Sequence, residues 1–245
     1  MAALRALLFN IVYFLWTALI VILGLPVALF GYRAVYGLGR LWARGAFAAL
    51  KAIVGLDHRF LDMPRPEGPV IYAIKHQSAW DTMAFSALPD RPAYVLKREL
   101  TWIPFFGWLL RAAGFIAVDR KAGAAALRRL LRDAERTVAG GRSLLIFPEG
   151  TRVQPGERRP YQPGIAALYE RLQIPVVPVA LNSGLFWGRR SFVKRPGRIT
   201  VEFLPPIPPG LKRREFMALL EERIESASTR LAAPRSSDRL PGRPD

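Results

Sequence analysis

The chain has 245 residues, enough for one well-buried domain and an appendage, and its 36 Lys and Arg against 19 Asp and Glu give a formal charge of +17. Such a surplus attracts polyanions (nucleic acid, an anionic membrane surface, an acidic carrier protein, a phosphorylated substrate) without choosing among them. The absence of cysteine excludes disulfides, thiolate metal sites and a cysteine nucleophile, and two histidines, His58 and His76, argue against a multi-histidine zinc site.

No charged residue occurs from Ala6 to Tyr32. At about 1.5 Å per helical residue, this apolar run is long enough to cross a hydrocarbon core of roughly 30 Å. Pro26 predicts a kink near its far end. A cleaved signal peptide would have an apolar core of only about 7–15 residues and a small-x-small cleavage site, neither of which is seen. A buried core helix rarely needs so long an unbroken run. Ala34 to Leu56, with Arg33, Arg40, Arg44 and Lys51 spaced among Leu, Trp, Phe and Ala, predicts a basic amphipathic helix suited to anionic headgroups. Cations on this side of the apolar run place the body of the protein in the cytoplasm, on an inner (cytoplasmic) membrane. Whether the first helix spans the bilayer or turns back within one leaflet is not fixed by these residues.

After Asp57 the pattern changes to short apolar runs alternating with helical periodicity. Val70–Lys75, Ala93–Leu96, Phe115–Val118, Ser143–Phe147, Val176–Leu181 and Ile199–Leu204 read as strands. Asp81–Leu88, Trp102–Ala112, Ala124–Ala139, Ile165–Leu172 and Lys212–Leu231 read as helices, the third ended by Gly140-Gly141. Alternation of this kind predicts an α/β layered domain. The organisation is therefore membrane-anchoring helices over 1–56, a catalytic domain over 57–232, and a Pro-, Ser- and Arg-rich disordered tail over 233–245. The aromatic stretch from Tyr94 to Trp108 fits a segment dipping into the bilayer, the lining of an acyl-chain tunnel, or plain core packing.

His76 directly follows the strand Val70–Lys75, at a strand end where α/β domains usually carry chemistry. Asp81, five residues on, is near enough for its carboxylate to meet one imidazole nitrogen, hold the tautomer and support the imidazolium formed when the other nitrogen takes a proton. Ser78 as the hydroxyl to be deprotonated would sit two residues from His76, outside any Gly-x-Ser-x-Gly elbow, so the substrate is the better source of the hydroxyl. By spacing alone the pair is weak, and His76 reads as an ordinary loop histidine and Asp81 as a helix N-cap. A second cluster adds weight. Leu144–Phe147 leads into Pro148-Glu149-Gly150-Thr151-Arg152, where Gly150 permits close backbone approach, Thr151 offers a hydroxyl and Arg152 a planar fork suited to phosphate. Arg120 ends another strand and Lys97-Arg98 follow a third, so several cations are in position to converge on one anionic group.

Lys75-His76-Gln77-Ser78-Ala79-Trp80-Asp81-Thr82 and Phe147–Arg152, with Gly114–Arg120 between and Val176–Ala180 after, are similar to the four ordered motifs of the lysophosphatidic acid acyltransferases, the 1-acyl-glycerol-3-phosphate acyltransferases of the glycerolipid acyltransferase superfamily. The resemblance runs from about Val70 to Ala180 and also takes in the two-helix membrane anchor of bacterial members. It implies a central mixed sheet flanked by helices, with His76 as general base and Asp81 its partner. It further implies that Glu149, Gly150, Thr151 and Arg152 help bind the acceptor, that Arg120 meets its phosphate, and that Val176–Ala180 lines the acyl-donor side. The expected reaction is direct transfer of an acyl group from acyl-CoA or acyl-carrier protein to the sn-2 hydroxyl of lysophosphatidic acid, with no metal or redox cofactor. Lys97, with Arg120 and Arg152, completes the expected set of phosphate cations. Backbone N–H groups near the His76 loop are the expected oxyanion donors. Membrane lipids are expected partners and nucleic acid is not, since DNA binding would leave the uncharged N-terminal run without a purpose. Two other readings stay open: another lysolipid acceptor such as lyso-ornithine lipid, and a non-catalytic lipid-binding protein.

Overall fold

The structure, a computed structural model, describes residues 1–64 and 66–233; from Pro234 onward the expected disordered tail lies outside the described residues. The uncharged run forms helix α1, Ala2–Val27, which contains Pro26 and passes through a 3-10 turn, Ala28–Phe30, to Gly31. Gly31 takes φ +81°, a left-handed conformation open to glycine, and reverses the chain into α2, Tyr32–Ala49. The two helices form an antiparallel hairpin. Near its turn Gly24 lies against Leu38, and further along Gly45 lies so close to Trp16 that a Cβ would overlap the indole. Between these, Trp16 Nε1 donates to Trp42 O and Trp42 Nε1 to Thr17 Oγ1, both at 2.9 Å.

The expectation that Ala34–Leu56 turns a basic face to headgroups holds only in part. Arg40 instead points into the body, donating to Ser86 O at 3.1 Å and Leu88 O at 2.6 Å, while Arg33 and Arg44 stay exposed. Helix α1 is fastened near both ends: Phe9 packs edge-on against Trp187 and Asn10 Oδ1 accepts from Lys194 Nζ at 2.6 Å, while Gly24 abuts Leu109. Over its whole length α1 buries only Ala6, Phe9, Ile20 and Gly24, and it is long and apolar enough to cross a membrane.

The body is a seven-stranded sheet. Its strands are β1 (Leu56–Leu61), β2 (Ile71–Ile74), β3 (Ala93–Lys97), β4 (Ile116–Val118), β5 (Leu144–Ile146), β6 (Val176–Leu181) and β7 (Gly197–Phe203), in the order β1-β7-β6-β2-β5-β3-β4. All neighbours are parallel except β6 and β7. The sheet is therefore mixed, as expected. Strand β1 is absent from the sequence reading because Leu56-Asp57-His58-Arg59-Phe60-Leu61 is an edge strand rich in charge, the composition that guards an open edge and conceals it from hydrophobic patterning. Helices α3 (Trp80–Ala84), α4 (Phe106–Ala112), α5 (Gly123–Ala139), α6 (Pro163–Leu172) and α7 (Arg213–Ala232) complete the chain.

Each central strand buries both faces, which is why these strands read as continuous apolar runs. In β2, Tyr72 and Ile74 face the layer containing Ala46, Leu50, Trp80 and Met83 of the hairpin and α3 side. Ile71 and Ala73 face α5, α6 and α7 through Leu130, Ile165, Leu168, Phe216, Leu220 and Ile224. The expected helix over Trp102–Ala112 starts only at Phe106, because Pro104 disfavours helix at Ile103 and Phe105 takes φ +62°. Core packing does not describe this segment: Trp102 is 61% and Trp108 52% exposed, with Ile103 and Phe105 also open. Val176–Leu181 is buried throughout as β6, so it builds the core and offers no open wall to a donor.

Candidate active site

The functional side chains gather at the carboxyl ends of the parallel strands, where a doubly wound sheet leaves its loops free to form a site. Strand β2 ends at Ile74 and delivers Lys75 and His76; β5 ends at Ile146 and delivers Phe147 to Arg152; β6 ends at Leu181 and delivers Ser183; β4 ends at Val118, two residues before Arg120.

His76 Nδ1 lies 2.9 Å from Asp81 Oδ2. That carboxylate is fully buried and heavily solvated by protein donors. Gln77 N (2.7 Å) and Ser78 N (2.8 Å) bond to the same Oδ2, and Ser183 Oγ donates to Oδ1 at 2.5 Å. Its other three partners all donate to it, so Asp81 acts as the acceptor here, the proton of neutral His76 sits on Nδ1, and Nε2 keeps its lone pair. The ring is stacked on Phe147 with centroids 4.0 Å apart, and its side chain retains 14% exposure. Ser78 is completely buried and its Oγ accepts from Trp80 N at 3.1 Å, a turn-forming role that removes it as a nucleophile.

Two hydrogen bonds close the β5 loop onto the β2 loop: His76 N donates to Glu149 Oε2 at 2.9 Å and Val153 N donates to His76 O at 2.8 Å. Glu149 is buried, its other oxygen 2.5 Å from Lys75 Nζ, so it holds the loop and presents no free carboxylate to an acceptor. Burial pushes its pKa up, with Lys75 and the His76 N–H acting in the opposite sense. Gly150 takes φ +69°, and its carbonyl accepts from Arg120 Nη1, which places that guanidinium at the same turn as Thr151 and Arg152. Thr151 and Arg152 are partly exposed, and neither side chain hydrogen-bonds or ion-pairs with a described residue. Lys97 is at the end of β3 as expected, but its ammonium pairs with Glu99 at 3.1 Å, and no contact joins it to the Gly150 turn. Arg98 pairs with Asp119 at 2.9 Å.

The expectation of oxyanion donors near the His76 loop is narrowed by bonds already made there. The N–H groups of His76, Gln77, Ser78 and Trp80 are already committed to Glu149, to Asp81 twice, and to Ser78 Oγ. These bonds are what hold the His76–Asp81 geometry, so the same groups are not free for a substrate. Among the described residues no three His, Asp or Glu side chains gather as a metal site. Sequence reasoning missed Ser183, Lys75 as a partner of Glu149, and Glu225, which pairs with Lys75. Ser183 carried no local signal. Glu225 did carry one, as an acidic residue beside Ile224 on the apolar stripe of α7. With one buried acceptor behind the imidazole, a free Nε2 in front and two guanidinium groups on the turn that is hydrogen-bonded to the His76 backbone, the arrangement can take a proton from a hydroxyl of an anionic molecule.

A family profile described as Acyltransferase matches residues 56–182. The chain is 34% identical over 186 residues to the 1-acyl-sn-glycerol-3-phosphate acyltransferase of Pseudomonas aeruginosa, covering 76% of this chain and 72% of that protein. It is 34% identical to the enzyme of that name from Cocos nucifera over 56% of this chain and 45% of the relative, and 32% identical to the alpha form from Bos taurus over 64% and 55%. The chain thus spans about half the length of these plant and animal relatives. The crystal structure of the 1-acyl-sn-glycerophosphate acyltransferase from Thermotoga maritima superposes with a TM-score of 0.79, covering 96% of this chain and 100% of that one at 20% identity, and so shares its fold.

Proposed function

The chain belongs to the acyltransferase family, among the 1-acyl-sn-glycerol-3-phosphate acyltransferases, and from that premise we propose that it transfers a fatty acyl group from acyl-CoA or acyl-carrier protein to the sn-2 hydroxyl of lysophosphatidic acid, giving phosphatidic acid. The observation that carries this reading is the His76–Asp81 pair at 2.9 Å beside the Gly150–Arg152 turn. As the acceptor oxygen attacks the thioester carbonyl, its proton passes to His76 Nε2, and Asp81 stabilises the imidazolium. Collapse of the tetrahedral species breaks the C–S bond. The departing thiolate takes the proton back from His76, leaving a free thiol and a new ester. No covalent enzyme intermediate is required, nor a metal or redox cofactor.

Arg152 and Arg120 hold the acceptor's phosphate and so position its hydroxyl; the guanidinium of Arg152, with no partner among the described residues, is the better placed of the two, and Lys97 contributes long-range charge from the neighbouring strand end. The apolar face of α1, together with Trp102, Ile103, Phe105 and Trp108, meets the lipid at the cytoplasmic face of the inner membrane. A helix fastened to the body near both ends rests along one leaflet more readily than it crosses the bilayer. The basic surface suits the anionic membrane, and no nucleic-acid role is invoked.

The test is an acyl-transfer assay on purified protein with a labelled acyl thioester, run with lysophosphatidic acid, a lyso-ornithine lipid and an uncharged lysolipid, and with both donor types. Labelled phosphatidic acid as the main product supports the reading. Preference for an acceptor without phosphate, or transfer to none, overturns it.

A further inference from the structure

Lys75 immediately precedes His76 and is 2% exposed, yet one carboxylate does not suffice for it. Its ammonium lies 2.5 Å from Glu149 Oε1 and 2.7 and 2.9 Å from the two oxygens of Glu225. Glu225 belongs to α7, well beyond the residues 56–182 that match the family profile, and it is itself buried. Tyr161, in the loop that carries Gly150–Arg152 toward α6, donates its hydroxyl to Glu225 Oε1 at 3.0 Å. One cation thus serves two carboxylates in a nearly dry place. A clamp meant only to hold α7 against the sheet would be neutral with one, because each buried charge left uncompensated costs stability. This cluster is connected to the proposed base, since the second oxygen of Glu149 accepts the backbone N–H of His76.

We propose that Glu225, acting through Lys75 and Glu149, is a positioning residue for acyl transfer. It draws part of the Lys75 charge onto itself, which leaves Glu149 a stronger acceptor for His76 N–H, and it keeps net negative charge behind the imidazole where the imidazolium forms. It also ties α7 and the Tyr161 loop to the end of β2, so the base and the Arg152 turn are held by one cluster. The charged and titratable groups facing Glu225 are Lys75 just after β2, Glu149 and Tyr161 from the β5–α6 loop, Glu221 and Glu222 on its own helix, and Arg158 across the surface cavity beside α7. Lys75 is the only one of the cations among them that the described contacts place on its carboxylate. This inference rests on His76 being the base.

The experiment is the kcat–pH profile of Glu225→Gln, which keeps the shape and the acceptor oxygen but removes the charge, measured beside thermal unfolding. Loss of a nearby negative charge makes an imidazole less basic, so the acid limb of the profile moves to lower pH and the plateau kcat falls about tenfold, with both KM values nearly unchanged. Glu225→Asp, which keeps the charge on a shorter arm, returns the limb to the wild-type position while kcat stays depressed; it carries the test if the Gln variant does not fold. A folded Gln variant with an unmoved acid limb, an Asp variant with wild-type kcat, or a change confined to KM overturns the proposal. Wild-type transfer abolished by His76→Ala but indifferent to Glu225 sinks this inference alone, whereas an inactive wild type sinks the acyltransferase reading beneath it.

Discussion

The two sides of the site are built in opposite ways. On the His76 side the groups that hold the base are already engaged: Asp81 receives four hydrogen bonds, Glu149 accepts from His76 N and ion-pairs with Lys75, and Phe147 stacks on the ring. On the cationic side Arg152 has no described partner, Arg120 donates to the Gly150 carbonyl and to no other described group, and Lys97 is half exposed beside Glu99. The difference is what the chemistry needs. A base must already be in the right tautomer and orientation when the hydroxyl arrives, so its hydrogen bonds are made on folding. A cation that is to bind a phosphate must be left unsatisfied by the protein, or binding would first have to break an existing pair.

Substitutions on the two sides should therefore fail differently. His76→Ala removes the proton acceptor and lowers kcat by about a thousandfold or more, with KM for either substrate little changed. Asp81→Asn keeps size but loses the charge and the acceptor for Nδ1–H, so kcat falls about a hundredfold while thermal stability also drops, since the N–H groups of Gln77 and Ser78 and the Ser183 hydroxyl then share a poorer acceptor. Arg152→Ala raises KM for the phosphorylated acceptor about tenfold more than KM for the acyl donor, and Lys97→Ala, already paired with Glu99, gives a smaller shift in the same direction. Equal effects on the two KM values would break the assignment of this side to phosphate.

The second histidine sharpens the contrast. His58, on β1, packs against Phe47, Phe60 and Trp80. Burial lowers its pKa from the ordinary 6.5, with the charge of Asp57 opposing the shift. Because the folded state disfavours its charged form, its contribution is favourable above the unfolded pKa and is lost as pH falls through the folded one. His58→Phe therefore leaves kcat at pH 7 unchanged and makes the midpoint of thermal unfolding fall less steeply than in wild type below about pH 6.5. A loss of activity comparable to that of His76→Ala would mean that burial among aromatics, and not the carboxylate partner, makes a base in this protein.

Most of the fold was legible because the central strands bury both faces, α5 carries a clean apolar stripe, and α7 carries one interrupted by Glu225. Strand β1 was hidden by its edge charges, and α4 began late because of Pro104. His76, Asp81 and the Gly150–Arg152 turn were legible as ordered motifs. The inward turn of Glu149, the Ser183 hydroxyl behind Asp81 and the pairing of Lys75 with Glu225 were not, because each joins residues distant in sequence whose meeting depends on strand order. The commitment of the His76-loop N–H groups was also beyond sequence pattern. It follows from Asp81 folding back under its own loop, which only the backbone path reveals.

The central claim, that His76 activates the acceptor's own hydroxyl, is tested most directly by a single-turnover experiment with enzyme in excess over a thioester labelled in its acyl group. The account predicts that thiol is released only when lysophosphatidic acid is added, that label passes straight into phosphatidic acid with none retained on protein, and that His76→Ala shows neither event. Thiol release without acceptor, with label left on the chain, would contradict it.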